Sequence, residues 1–330
     1  MSAWRRCSHK LRLKDDLLVG IAGFVMSYFL VSISNIFIDD ILTWRDEVFL
    51  GALGGAGLHA LSGCRIWNDH LGIIACAGED FRPFLPQLHS MGIDTAGIQY
   101  NQEKTNRQWE VFQPGEVRIG VIRDPRIPKR QAVPDFGHLP AQYGQSAGYH
   151  ILWQGGEGDL FNVLKDIRQR NPQAVIVYEP SIIDCLWGID FFQHLFFFVD
   201  AFSPGLTESR QILGLEDPQL IVKQFLQLGC KLVALRLGSR GSMVGDQSGV
   251  LNRVPAAEAR VVDVTGAGNA FCGGLLCGLV ARRSLPECLA MASVSASFEI
   301  EQYGLCNFTT EKFLNRDNRF VMVLSAILDN

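Results

Sequence analysis

The sequence predicts an α/β protein whose sheet is mainly parallel and covered by helices on both faces. From residue 150 onward, short apolar runs typical of strands alternate with runs of helical spacing. Strands separated by helices indicate a parallel sheet with two buried faces. The chain has 330 residues, of which 48% are hydrophobic, which is enough for a sizeable core. A glycine-rich turn near residue 266 lies between a strand-like run and a helix-like run.

The second half of the chain allows individual elements to be placed. Residues 159–170 have helical spacing and stop before Pro172. Four short apolar runs are predicted as strands: residues 150–154, 174–178, 196–202 and 231–236. In parallel sheets of this kind, functional residues gather at the carboxyl ends of the strands.

The first forty residues allow two interpretations. Residues 17–38 carry no charge and follow several basic residues, so the run is long enough for a transmembrane helix. Residues 29–42, however, also read as the first strand of the sheet, which would leave too short an apolar run to span a bilayer. We therefore expect a cytoplasmic protein with an extension over residues 1–28, and membrane tethering through residues 17–38 is the alternative.

Charge and cysteine content exclude some classes of function. The net charge of −4 argues against nucleic-acid binding, which requires a basic face. The nine cysteines show no C-x-x-C spacing, which argues against a zinc knuckle. Reduced, buried thiols are the expected state.

The turn Gly266-Ala267-Gly268 is the strongest candidate for a functional site. It follows Asp263 and Thr265 and opens a predicted helix. Backbone N–H groups at a helix start, unobstructed by side chains, form an anion-binding site supported by the helix dipole. A helix start built from small residues for packing alone would show the same pattern.

These residues resemble the D-T-x-G-A-G-D signature of the ribokinase/PfkB carbohydrate kinases. The resemblance implies a ribokinase-like three-layer α/β/α sandwich with a small β lid. In that family the final Asp accepts the proton of the substrate hydroxyl, and the Gly-Ala-Gly amides hold charge on the transferred phosphoryl group. Here the final position is Asn269, and a carboxamide cannot accept that proton. Loss of a positioned general base costs about 10²–10⁴ in rate.

Two further matches concern the sugar-binding half of such kinases. Gly54 and Gly55 resemble the G-G-x-x-x-N-x-A signature, in which glycine lets the backbone approach a sugar closely. His59 takes the place of the Asn and can still donate or accept a hydrogen bond. Asp39, at the end of the expected first strand, resembles the family's substrate-binding Asp.

The resemblance also implies residues for ATP and Mg²⁺. Gly238 and Gly241 fit the T-x-G-x-x-G turn that lines the ATP phosphates, with Arg236 at the Thr position. Arg236 could help or block the nucleotide, and the sequence leaves both open. Thr265 belongs to the same nucleotide-binding set. Glu208 matches the magnesium-setting Glu of N-x-x-E, although Gly205 replaces the Asn and a helix start would also favour a Glu.

The lid and the domain boundaries follow from the same resemblance. Residues 41–51 and 94–122 are expected to form the lid strands within one domain over residues 29–330. Lids of this kind often form a dimer contact, so the resemblance leaves open a homodimer through the lid.

Two functions remain open. The first is an ATP-dependent kinase for an alcohol of a sugar or related polyol, with weak turnover because of Asn269. The second is an inactive nucleotide- and sugar-binding pseudokinase that acts through a protein partner. An Asn at this position also occurs in a branch similar to the fungal killer-virus maintenance proteins.

Overall fold

A computed structural model of the protein describes residues 27–113, 117–122, 133–306 and 309–329. The expectations for residues 1–26 lie outside the described residues. The described strands are β1 (Leu30–Ile33), β2 (Phe37–Leu42), β3 (Val48–Gly54), β4 (Leu71–Cys76), β5 (Ile93–Asp94), β6 (Ile98–Gln99), β7 (Arg107–Gln113), β8 (Val117–Ile122), β9 (Gly148–Ile151), β10 (Val175–Tyr178), β11 (Ala201–Phe202), β12 (Leu232–Arg236), β13 (Ser242–Asp246) and β14 (Leu251–Val254).

The α-helices are numbered in the same way. They are α1 (Ala56–Arg65), α2 (Leu85–Ser90), α3 (Ala141–Gly144), α4 (Glu157–Arg170), α5 (Ile189–Phe196), α6 (Leu206–Leu213), α7 (Pro218–Gln227), α8 (Ala267–Val280), α9 (Leu285–Glu299) and α10 (Thr310–Leu328). Among the described residues, no helix has the length and apolar character needed to cross a membrane.

The main sheet has the strand order β14-β13-β12-β11-β10-β9-β1-β4-β5, with β6 also paired to β4. Its pairs are parallel except at the β12-β13-β14 end, where they are antiparallel. Side chains of each strand alternate between two cores: Leu30 packs with α1, α8 and α9, whereas Val31 packs with α4, α5 and α7. This three-layer arrangement confirms the predicted fold class.

The expected first strand over residues 29–42 is wrong as a single element. Its first part, β1, lies in the main sheet, and its second part, β2, lies in a separate four-stranded sheet of order β3-β2-β7-β8. The chain changes sheets at Asn35, whose carboxamide oxygen accepts the N–H of Ala56 and whose carbonyl accepts that of Gly57. Asp39 therefore lies in the small sheet and not at the end of the main-sheet strand.

The small sheet contains part of the two segments, residues 41–51 and 94–122, that are expected to form the lid. Residues 37–42, 48–54, 107–113 and 117–122 form the small sheet. The expected lid segment 94–122 includes the last residue of β5 and all of β6. Both strands pair instead with β4, because Ile93 and Ile98 are buried in the core of the main sheet.

The aromatic run at residues 196–202 is mostly not a strand, contrary to the sequence prediction. Its first residue ends α5, and only Ala201 and Phe202 pair in the sheet. The α5 helix buries Phe191, Phe192 and Phe196 on one face. A high density of aromatic residues is typical of strands, but here these residues belong to a helix that packs on the sheet.

Candidate active site

Polar residues at the carboxyl ends of the central strands lie together near the start of α8. His150 lies in β9, Glu179 directly follows β10, and Arg236 ends β12. The N–H of Glu179 bonds to the carbonyl of Ile151, and the N–H of Arg236 bonds to that of Pro204. Backbone pairing across the sheet therefore fixes the places from which these side chains extend.

Glu179 is the centre of this group. Its side chain is buried and accepts hydrogen bonds from Arg236 Nη1 at one oxygen and from Asn269 Nδ2, at 2.9 Å, at the other. His150 Nε2 lies 3.0 Å from that second oxygen, and Ser32 Oγ lies 2.9 Å from His150 Nδ1. Burial by itself would raise the pKa of Glu179, but Arg236, His150 and Asn269 outweigh it and lower the pKa to about 2. Glu179 is thus ionised throughout the physiological range.

Asn269 lies in the first turn of α8, beside this carboxylate. Since an ionised Glu179 only accepts, the amino group of the carboxamide must be the part that faces it. The position expected to hold a general base is therefore a hydrogen-bond donor to a neighbouring acid. This bond positions Asn269 and gives it no capacity to accept a proton.

The turn Gly266-Ala267-Gly268, which opens α8, has the geometry of an anion-binding site and is called the cradle below. Gly266 is the N-cap with φ of 75°, a left-handed conformation that favours glycine. Asp263 accepts the N–H of Thr265 at 2.7 Å and fixes the entry to the turn. The N–H groups of Gly268 and Asn269 precede the first intrahelical bond and have no partner among the described residues. Together with the helix dipole they favour an anion.

Two side chains contact this turn from opposite halves of the molecule. A Cβ at Gly266 would collide with the imidazole of His59, and a Cβ at Gly268 would collide with the guanidinium of Arg236. Both glycines are therefore required by close approach, and the cradle lies between an imidazole and a guanidinium.

His59 is held by an acid that the sequence analysis missed. Its Nδ1 lies 2.6 Å from Glu299 Oε1, at the end of α9, and Ser62 donates to the other oxygen of Glu299. Burial alone would lower the pKa of His59, but Glu299, Asp39 and Asp263 together raise it above its ordinary value. Below that raised pKa, the pair is a buried imidazolium–carboxylate bridge between α1 and α9.

Asp39 and the glycine pair form the outer part of the same half of the site. Asp39 is buried in β2, and a Cβ at Gly54 would collide with its carboxylate. Gly55 has φ of 96° and lies against the backbone of Asn35, so that a side chain there would be both strained and obstructed. The structure thus groups Asp39, Gly54, Gly55 and His59 on one side of the cradle.

A cavity of about 390 Å³ lies on the other side of the cradle. Arg236, Gly238, Gly241 and Gly268 form its polar end, and small or apolar side chains from α8, α9 and the loop at residues 256–264 form the rest. Gly241 needs its positive φ of 80°, and a side chain there would collide with the carbonyl of Val254. The hydroxyl of Thr265 is buried without a partner among the described residues.

A match to the family model for pfkB carbohydrate kinases covers residues 54–312. The chain belongs to the pfkB family. An uncharacterized protein of Schizosaccharomyces pombe is 29% identical over 295 residues, which are 77% of this chain and 79% of that protein. The fructoselysine 6-kinase of Escherichia coli is 32% identical over 253 residues, 76% of this chain and 90% of that enzyme.

Solved structures of the pfkB family share the fold. A putative ribokinase II from Escherichia coli, in complex with ATP and Mg²⁺, superposes with a TM-score of 0.69 and 17% identity. The superposition covers 88% of this chain and 99% of the ribokinase. It confirms the ribokinase-like fold predicted from the motifs.

Among the described residues, Glu208 and one buried cluster offer candidate metal ligands. Glu208, in the first turn of α6, folds its carboxylate back over Gly205 and lies within electrostatic reach of Arg236. Its carboxylate offers the oxygen ligand that Mg²⁺ prefers. Gly205 has no side chain and therefore adds no side-chain ligand. The ligand atoms of His150, Glu179 and Cys272 lie within 4.8 Å of one another. Burial raises the pKa of the Cys272 thiol, however, which disfavours the thiolate form that binds a metal.

Sequence reasoning named the glycines that the structure places around the candidate site and missed their buried neighbours. Glu299 carried one signal, an acid at the end of a helix rich in small residues. Glu179 and His150 carried the signal of polar residues at strand ends. The contacts of Glu299 with His59 and of Glu179 with Asn269 cross 240 and 90 residues of chain, so no local pattern predicts them.

Proposed function

We propose that this pfkB protein is an ATP-dependent phosphotransferase for an alcohol of a sugar or related small molecule, with turnover limited by Asn269. The observation that carries this proposal is the bond between Asn269 and Glu179, directly beside the cradle. The cradle, the cavity and the buried Asp39 keep the layout of a kinase site, while position 269 donates a hydrogen bond where a base is needed.

The roles of the residues follow from their places. Asp39, Gly54, Gly55 and His59 hold the acceptor molecule. Thr265, Gly238, Gly241 and Arg236 lie along the nucleotide, and the amides of Gly268 and Asn269 meet the transferred phosphoryl group. Glu208 would bind Mg²⁺, which supplies charge neutralisation at the phosphates when bound. Relatives act on acceptors as different as cytidine and fructoselysine, so the acceptor class is a sugar, nucleoside or related alcohol.

A second function is favoured by the state of the whole polar group. Glu179 is saturated by donors and its pKa is about 2, so this acid does not replace the missing base. Gly205 and His59 also depart from the family motifs. A pseudokinase that binds nucleotide and sugar and acts through a protein partner would need the cavity and cradle without the base.

One pair of measurements separates these functions. Calorimetry measures ATP binding, and a coupled assay follows ADP release over a panel of sugars, sugar acids and nucleosides. Binding with slow, acceptor-dependent ADP release supports the kinase. Binding without any acceptor-dependent release supports the pseudokinase, and absence of nucleotide binding contradicts both.

We also propose that the outer face of the small sheet forms a homodimer. Four apolar side chains on β3 and β8 are between 44% and 69% exposed: Val48, Leu50, Ile119 and Val121. The half-buried Leu42, Trp109 and Val111 of the two middle strands lie on the same face between them. Such a continuous exposed apolar face is typical of an interaction surface.

A further inference from the structure

Arg236 holds an unusual position for a fixed positive charge. Its guanidinium lies between the Glu179 carboxylate and the backbone of Gly268, at the polar end of the cavity. Only Nη1 is used by Glu179, and the buried Nε–H has no partner among the described residues. The guanidinium, which is charged at every accessible pH, therefore retains donors on the side of the cavity.

A second buried donor lies beside it. Ser242 pairs with Arg236 in the register of β12 and β13 and lines the same cavity. Its side chain is 1% exposed, and its hydroxyl has no partner among the described residues. An unsatisfied buried hydroxyl costs free energy, so its place at the cavity indicates a ligand that accepts hydrogen bonds there.

Arg236 is paired with a carboxylate and still has donors that this carboxylate does not use. Glu179 and Glu208 are the carboxylates that face Arg236. One oxygen of Glu179 is bonded by Arg236, and the other lies within hydrogen-bond distance of Asn269 and His150. The carboxylate of Glu208 is folded over Gly205. Arg236, Ser242 and Gly268 line the same cavity, so their remaining donors are available to one ligand there.

We propose that Arg236 binds the phosphate chain of the nucleotide directly, and that ATP binds here without a divalent cation. This inference rests on the proposed function, because it takes ATP as the ligand. An Arg–phosphate bond is bidentate and charge-assisted, and a fixed guanidinium supplies at the cradle a charge that a metal would otherwise bring. Transfer of the phosphoryl group is a separate step and is not part of the inference.

The first test uses the unchanged protein. Calorimetry measures the Kd of ATP, AMP and adenosine in Mg²⁺ and in EDTA at equal ionic strength. We expect the Kd of ATP to change by no more than about threefold on removal of Mg²⁺, which is less than about 1 kcal/mol. Adenosine should bind equally in both conditions.

The second test compares two arginines of the hairpin formed by β12 and β13. Arg236→Thr removes the buried charge, and Arg240→Thr removes an exposed charge from the turn Gly238–Arg240, outside the cradle. In EDTA we expect Arg236→Thr to weaken ATP binding by about 10- to 100-fold, the effect of one charge-assisted bond, and to leave adenosine unchanged. Arg240→Thr should change neither, since an exposed charge contributes little. If Arg236→Thr does not fold, Arg236→Lys replaces it and should also weaken ATP, because an ammonium cannot form the bidentate fork.

The outcomes distinguish this inference from the proposed function. Adenosine binding together with ATP binding only in Mg²⁺ would overturn the inference and leave nucleotide binding intact. Equal losses for both arginine variants, or none for Arg236, would overturn it as well. No binding of any nucleotide in either condition would overturn the proposed function together with the inference.

Discussion

Replacing Asn269 by an aspartate restores the family's base, and the structure predicts a specific cost. Asn269 Nδ2 lies 2.9 Å from Glu179 Oε2. In Asn269→Asp a carboxylate oxygen would take that place, and a donor–acceptor pair would become two acceptors. At this distance two unit charges repel by about 6 kcal/mol with an effective dielectric constant near 20. The pair avoids much of this by binding a proton, so the variant has one carboxyl group with a strongly raised pKa.

The sign of the pH dependence follows from that shift. An acid whose pKa is raised on folding binds more protons in the folded state, so stability falls as pH rises between the unfolded and the folded pKa. If the pair titrates two to three units above the ordinary Asp pKa, Asn269→Asp loses about 3–4 kcal/mol of unfolding free energy at pH 8 and little below pH 4. Urea unfolding of both proteins between pH 4 and pH 8 measures this difference.

The control is the double variant Glu179→Gln with Asn269→Asp. A glutamine at 179 can offer its carbonyl to Arg236 and its amino group to the new carboxylate at position 269, so most of the stability loss at pH 8 should disappear. The coupled assay should then show turnover raised by about 10²–10⁴ over the unchanged protein with the same acceptor, as expected of a general base. Unfolding curves of Asn269→Asp that match the unchanged protein at every pH would refute the contact with Glu179 and this reasoning.

Three further predictions concern the cradle, its imidazole partner and the small sheet. Gly268→Val should abolish stabilisation by ATP in thermal unfolding, because the side chain collides with Arg236, whereas Gly158→Ala in open space should keep it; a full ATP response in Gly268→Val would exclude this site. His59→Ala should destabilise the fold by about 3–5 kcal/mol because Glu299 is left buried without its cation. The stabilisation from this pair should be present below about pH 6.5 and fall as pH rises through the raised pKa of His59. A loss of unfolding free energy that does not depend on pH would contradict this reasoning. Leu50→Asp, on the exposed face of the small sheet, should yield monomers in sedimentation if the unchanged protein is a dimer, and a monomeric unchanged protein would dismiss the dimer.

The sequence predicted the backbone of the site well because that backbone has local causes. Gly266 and Gly268 are needed by a turn that begins a helix, and Gly241 by a positive φ within a hairpin. Turn and strand signals of this kind extend over a few residues, so a single sequence contains them. The order of these motifs along the chain then indicated the family.

The parts that could not be predicted depend on tertiary structure. The segment 29–42 is largely apolar because both halves are buried, although in two different sheets, and hydrophobicity does not report which sheet a strand joins. The acids Glu299 and Glu179 derive their roles from partners far away in the chain. Whether Arg236 helps or blocks the nucleotide was likewise open in the sequence, because its contacts with Gly268 and Glu179 depend on the tertiary structure.

The bond between Glu179 and Asn269 also constrains the order in which a lineage can change this site. A carboxylate at 269 is unfavourable while Glu179 is ionised, so a change to the family's acid by one substitution passes through a destabilised protein. Neutralising position 179 first avoids that repulsion but leaves the buried Arg236 without its carboxylate, so either substitution alone is unfavourable. The amide at position 269 is therefore retained through its coupling to Glu179, because the effect of a substitution at either position depends on the residue present at the other.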